Sequence, residues 1–213
     1  MLLTSKSEMI YDRRQLLEIF LSGCKTSQNI GVETEKLLVY KSSRKAVEYS
    51  DVVKILSQFD EKIWQRVYEN ENLMGLKSDI GTISLEPGSQ IELSLKPFEC
   101  LSEINDILKD YYNQLNEYAQ NIGTEVLDIG AHPVSTYENI NVIPKKRYEY
   151  MTKYLPTKGL TPFVMMRETA GIQVNFDYKS EDDAIRKLSL ATKMSPFISA
   201  IYANSPIRDN KLN

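Results

Sequence analysis

Hydrophobic and polar positions alternate along this chain in two different rhythms, and the change of rhythm marks its elements. Ser7 to Leu21 carries Met9, Ile10, Leu16, Leu17, Ile19 and Phe20 on one side of a helical wheel, with Gly23 as the stop. Ile30 to Tyr40 reads as a strand. Ser50 suits an N-cap for a short helix over residues 51–59, with Asp51 in its first turn. Four short segments follow, over residues 63–68, 72–77, 82–86 and 90–95. Turn residues at 69–71, 78–81 and 87–89 separate them, the pattern of an antiparallel meander. Residues 99–122 form the clearest helix: Leu101, Ile104, Ile107, Leu108, Tyr111, Leu115, Tyr118 and Ile122 recur at steps of three and four, and Gly123 ends it. Residues 124–130 read as a strand and 144–154 as a helix. In residues 170–178, Ile172, Val174 and Phe176 share one strand face while Gln173, Asn175 and Asp177 share the other. Ser180 with Asp183 forms a capping box for a last helix running past Pro196 toward Ala203. No repeat, low-complexity linker or domain boundary interrupts the series.

With Pro87-Gly88-Ser89 as a three-residue loop, Glu86 faces Gln90 and Ser84 faces Glu92. Those polar side chains then share one face, and Ile83, Leu85, Ile91 and Leu93 share the other. A two-residue loop would set Glu92 against Ile83 and mismatch the faces. Glu33 and Glu35, two residues apart, also share a strand face. Such alternation by itself signals a solvated sheet face. Convergent carboxylates would instead suit a hard divalent cation such as Mg²⁺, which arrives with substrate phosphates.

Composition narrows the classes. The 213 residues carry a net charge of −3, with 42% hydrophobic and 26% charged residues, within the globular range. Nothing resembles a polyanion footprint, so nucleic acid is not an expected partner. No apolar run approaches the roughly 18–20 residues of a membrane span, so no membrane association is expected. The N-terminus lacks the cleavage pattern of a signal peptide. Cys24 and Cys100 have no metal-ligand spacing and read as reduced thiols, buried or unreactive, which points to a cytoplasmic location. The single His132 excludes a multi-histidine metal site and reads as a loop residue; Trp64 reads as core.

Five ordered blocks carry a resemblance: Gly31-Val-Glu-Thr-Glu-Lys36, the hairpin from Ile83 to Ser94, Ile143-Pro-Lys-Lys-Arg-Tyr148, Gln173-Val-Asn-Phe-Asp177 and Ala203-Asn-Ser-Pro206. Together they resemble the plant-type and proteobacterial glutamate–cysteine ligases over nearly the whole chain. The resemblance implies an α+β, glutamine-synthetase-like fold: an antiparallel sheet forming a partial funnel, helices packed on its outer side, and the active site on its inner face. It implies ATP as a substrate and Mg²⁺ as cofactor. L-Glutamate is phosphorylated on its γ-carboxylate and L-cysteine then attacks, the first step of glutathione biosynthesis. By position, Glu33, Glu35 and Glu92 are similar to the family's metal-binding acids; Glu86 is a further candidate, with a structural role in the turn as the alternative. Arg147 matches the family arginine that binds the substrate carboxylate, which makes it the candidate catalytic and substrate-binding residue; a guanidinium can grip a carboxylate through two parallel hydrogen bonds. Lys145, in the same block, is given no role. Arg167 is a candidate for substrate phosphate, or an ordinary surface cation. Gln173 and Asn175 are candidates for nucleotide or metal-bound water, or simply sheet lining.

Relatives in this family are about twice as long, so residues 1–213 are expected to form the N-terminal portion of one catalytic domain. The alternatives are a piece that works with a separately encoded C-terminal half, an inactive remnant, a non-catalytic nucleotide- or metal-binding module, and a related carboxylate–amine ligase using another amine.

Overall fold

The computed structural model describes residues 11–159 and 161–213, and in them the two sequence rhythms become one sheet with helices on its outer side. In chain order the elements are α1 (Arg13–Leu21), β1 (Ile30–Tyr40), α2 (Tyr49–Leu56), β2 (Gln65–Glu69), β3 (Asn72–Lys77), β4 (Gly81–Leu85), β5 (Ile91–Leu95), α3 (Leu101–Asn121) and β6 (Thr124–Leu127). They continue with α4 (Lys146–Tyr154), a 3₁₀ turn (Leu155–Lys158), α5 (Thr161–Glu168), β7 (Ile172–Phe176), α6 (Glu181–Ile201), and a small hairpin of β8 (Ile207–Arg208) and β9 (Lys211–Leu212). The main sheet is antiparallel, in the order β2-β3-β4-β5-β1, and the far side of β1 is shared: β7 pairs its first half and β6 its second. The α+β class expected from the sequence is the class observed.

Alternation along the strands decides the two faces. Ile83, Leu85, Ile91 and Leu93 are buried, and they meet Val52, Ile55 and Leu56 of α2 and Ile104, Tyr111 and Leu115 of α3. Phe59 packs edge-on against Trp64 and Tyr118, closing the aromatic end of this core. Each fully buried aliphatic side chain contributes about 1.5–3 kcal/mol, so this outer layer anchors the sheet. The neighbouring residues Ser84, Glu92 and Ser94 therefore face the other way, onto a polar inner face.

Local signals were modified by tertiary partners in several places. Ser50 does not cap α2. The helix starts two residues earlier, at Tyr49 behind Glu48, where the Tyr40 hydroxyl, donating to Asp51 Oδ2 at 2.5 Å, also accepts from the Glu48 amide at 3.2 Å. In the α6 cap, Ser180 Oγ accepts from Asp183 N as expected, whereas Asp183 reaches back to Lys179 N. Residues 7–10 of the expected first helix lie outside the described residues. In α1 itself no residue is buried, so the apolar side of that wheel is left uncovered. His132 is a loop residue but buried, and Cys100 is exposed, its thiol shifted downward by hydrogen bonds from Ser102. The helix α5 and the β8–β9 hairpin were not foreseen.

Candidate active site

Strand register assembles the inner face. Across β1 and β5, Glu35 stands directly opposite Glu92, and Glu33 opposite Ser94. Across β4 and β5, Ser84 faces Glu92 and Thr82 faces Ser94, the pairing expected from a three-residue loop. The Ser89 amide donates to Glu86 O at 2.9 Å, and Ser89 adopts φ +69°, the left-handed residue that closes such a loop. On the far side of β1, Gln173 stands opposite Glu33 and Asn175 opposite Gly31. The carboxylates of β1 and β5 and the amides of β7 thus share one surface.

Hydrogen bonds orient these acids. Glu35 Oε2 accepts from the Gly171 amide at 2.8 Å, Glu33 Oε1 from Asn175 Nδ2 at 3.1 Å, and Glu92 Oε1 from Ser94 Oγ at 2.5 Å. Burial raises the Glu35 pKa above the usual carboxylate range; the Gly171 hydrogen bond opposes this, and the charges of Glu86, Glu92 and Glu33 reinforce it. Glu86 is raised by burial and then by Glu92, against the pull of Arg147 and Lys145. The acids repel one another in a half-desolvated surface, the electrostatic condition that a cation relieves.

These donors are hard oxygens and fit Mg²⁺. Among the described residues, however, no three His, Cys, Asp or Glu side chains converge into a ready-made metal cage. An open row of acids fits an ion that keeps several waters and takes further ligands from phosphate.

The tip of the β4–β5 hairpin is locked against α5. Gln90 is buried; its Nε2 donates to the carbonyls of Met166 (3.2 Å) and Thr169 (2.9 Å), while its Oε1 accepts from Gly88 N. A side chain at Gly88 would sit 2.4 Å from the Arg167 carbonyl oxygen, so only glycine allows this approach. Arg167 itself is directed elsewhere: Nη1 donates to the carbonyls of Tyr137 (2.9 Å) and Ile140 (3.3 Å), and the guanidinium lies over the Phe163 ring. The structure does not bring it to the acids. It brings Arg147 to the Glu86 end of the face instead, where Nη2 donates to the Tyr148 hydroxyl at 3.0 Å.

Sequence reasoning missed two groups of residues here. Lys145 is half-buried beside Glu86; its spacing from Arg147 in one short block was the available signal. The second is a clamp remote in sequence. Glu168, fully buried, accepts from the Tyr137 amide at 2.7 Å and from Arg208 Nε at 2.6 Å. No local pattern marks a pair forty residues apart.

Comparison with known proteins is consistent with this geometry. The chain is 37% identical over 204 residues to the glutamate–cysteine ligase of Medicago truncatula, covering 94% of this chain and 40% of that protein. Glutamate–cysteine ligase B of Oryza sativa subsp. japonica is 35% identical, covering 94% and 41%. The Arabidopsis thaliana enzyme is also 35% identical, covering 94% and 39%. The chain thus spans about two fifths of the length of these relatives. All three are named chloroplastic, which overturns the cytoplasmic expectation; reduced thiols report a redox state, not a compartment. The sequence pattern of glutamate-cysteine ligase family 2 (GCS2) matches residues 29–213, from the first strand of the sheet onward, and the chain belongs to that family.

Proposed function

We propose that this chain supplies the inner-face acids and a substrate arginine for ATP-dependent ligation of L-glutamate to L-cysteine. The observation that carries this reading is the register Glu35↔Glu92, with Glu33 and Ser94 paired beside it. It gives a family member a row of mutually repelling carboxylates on the open side of a sheet whose other side is sealed by helices.

Glu33, Glu35 and Glu92 would hold Mg²⁺, with Glu86 at the edge of the row. Bound metal supplies charge neutralisation for phosphate oxygens. Arg147 takes a carboxylate of L-glutamate. The γ-carboxylate accepts the terminal phosphoryl group of ATP, releasing ADP, and the cysteine amine then displaces phosphate to form the amide. Asn175, held by Glu33, and Gln173 beside it line the nucleotide side of the row. Arg167 serves by fixing the 137–140 loop behind the hairpin tip.

Residues 1–213 act as the N-terminal portion of one catalytic domain, and the remaining sheet and helices come from polypeptide equivalent to the rest of the relatives' length, in the same or a separate chain. Two surfaces support this. All five residues of β7 are exposed, with Ile172, Val174 and Phe176 outward. In the 21-residue α6, apolar side chains spread around the helix, including Ile185, Leu188, Leu190, Phe197 and Ile201, yet only Asp183 is buried. So many apolar side chains left exposed on one helix mark a surface that a further segment would cover.

The test is formation of γ-glutamylcysteine, identified by mass, from ATP, Mg²⁺, glutamate and cysteine. The 213-residue chain is assayed alone and together with the uncovered portion of the Medicago truncatula relative. Product in the second mixture, lost in Glu35→Gln and Glu92→Gln, is expected. Activity that survives both substitutions would overturn the assignment of the acids.

A further inference from the structure

Two cations stand close together at the start of α4, and neither has an acid in ion-pair contact among the described residues. Lys145 Nζ lies 5.1 Å from the centre of the Tyr148 ring, and Arg147 Cζ lies 4.9 Å from it. Tyr148 is fully buried, and its hydroxyl donates to the Leu85 carbonyl at 3.2 Å while accepting from Arg147. The ring is thus bolted to the end of β4, the strand that leads into Glu86.

The backbone holds the two side chains in place. The Lys145 amide donates to Ile143 O, the Tyr148 amide to Lys145 O, and the Ile143 amide to Pro87 O in the hairpin tip. Glu69, at the end of β2, caps the helix by accepting from Lys146 N at 2.9 Å. Glu86 and Glu69 both lie near enough to Lys145 to favour its charged form, without an ion-pair contact.

We propose that Tyr148 is a positioning residue and Lys145 a substrate-binding residue, the ring holding Lys145 and Arg147 together as a two-cation receptor for one anionic oxygen group of a substrate. The proposal rests on the ligase reading above. Burial shifts Lys145 downward from its usual range and the neighbouring Arg147 charge adds to this, against the pull of Glu86, Glu69 and Glu92. An arriving oxyanion relieves both. Arg147 contributes a planar fork and Lys145 a point charge, complementary ways to hold a carboxylate or a phosphate. The ring attracts both cationic heads, the Lys145 ammonium and the Arg147 guanidinium, and so holds them close together.

The experiment is calorimetric titration of the 213-residue chain with L-glutamate alone and with ATP–Mg²⁺ alone. The proteins are wild type, Lys145→Gln, Lys145→Arg and Tyr148→Phe, each checked for an unchanged melting temperature. Loss of a charge-assisted contact predicts about tenfold or greater weakening in Lys145→Gln, confined to one ligand and restored in Lys145→Arg. Tyr148→Phe, which keeps the ring but frees Arg147, weakens the same ligand several-fold. Loss of glutamate binding assigns the receptor to a carboxylate, and loss of ATP binding to a phosphate. Wild-type affinity for both ligands in Lys145→Gln overturns the proposal. Equal weakening of both ligands with a lowered melting temperature also overturns it, since that marks a structural lysine. Binding of neither ligand by the wild type, both alone and mixed with the uncovered portion of the Medicago truncatula relative, overturns the ligase reading on which the proposal stands.

Discussion

Replacing Glu35 with glutamine should make the metal-free protein more stable while removing its response to Mg²⁺. Glu35 stands directly across from Glu92, and Glu86 and Glu33 add like charge. A like-charged pair at directly opposed strand positions costs about 0.2–1 kcal/mol. Glu35 is partly exposed, so solvent screening keeps the Glu92 pair near the lower half of that range. With the two further acids the relief sums to about 1 kcal/mol, on the order of 2–4 °C in melting temperature for a chain of this size. Glutamine retains an oxygen to accept the Gly171 amide, so that hydrogen bond survives. The sign with pH follows from the raised pKa. The folded state holds the proton more tightly than the unfolded chain, so stability from this group is greatest below about pH 4.3 and falls as pH rises through the higher folded value. The advantage of Glu35→Gln should therefore grow from pH 4 to pH 7.5 and shrink in about 1 M salt. The assay is scanning calorimetry of both proteins across that range, with and without Mg²⁺. Metal at a hundredfold excess over its dissociation constant adds about 2.7 kcal/mol to the wild type and much less to the variant. A Glu35→Gln protein that melts lower at pH 7.5 in low salt, or that gains as much from Mg²⁺ as the wild type, would refute the reasoning.

Three further outcomes are expected. Arg208→Met should destabilise the protein by about 1–3 kcal/mol in urea unfolding, because it strands the buried Glu168 carboxylate with the Tyr137 amide alone; Arg208 is partly exposed, which keeps the loss below that of a fully interior pair. Burial lowers His132 to about 4, so the unfolded state binds its proton first and this group's stability drains away as pH falls from about 6.5 toward 4; a His132→Gln protein should lack that part of the slope in denaturant midpoints measured from pH 7 to pH 4. Finally, Leu188→Asp with Phe176→Asp should reduce self-association and binding of an apolar dye, because those side chains are 70% and 64% exposed; light scattering that is unchanged would place the sticky surface elsewhere.

The periodicities of residues 101–121 and 83–93 determined a helix and a hairpin before any tertiary contact was considered, because side-chain spacing there alternates with the pitch of the element. The hairpin's loop length, and with it the facing of Ser84 and Glu92, followed from the same alternation. Sequence also placed Glu33 and Glu35 on one face, since a strand repeats every two residues. It could not say which strands lie beside β1. Only the folded sheet set Glu35 opposite Glu92 and Gln173 opposite Glu33, through pairings 57 and 140 residues apart in the chain. Arg167 and Lys145 show the same division at single residues. Both are cations next to apolar stretches, and beyond Lys145's nearness to Arg147 nothing local says what either meets. The carbonyls of Tyr137 and Ile140 draw one away from the acids, and the buried ring of Tyr148 holds the other beside Glu86. Local spacing decides which way a side chain leaves its own backbone; which partner it meets depends on long-range packing that brings distant segments together.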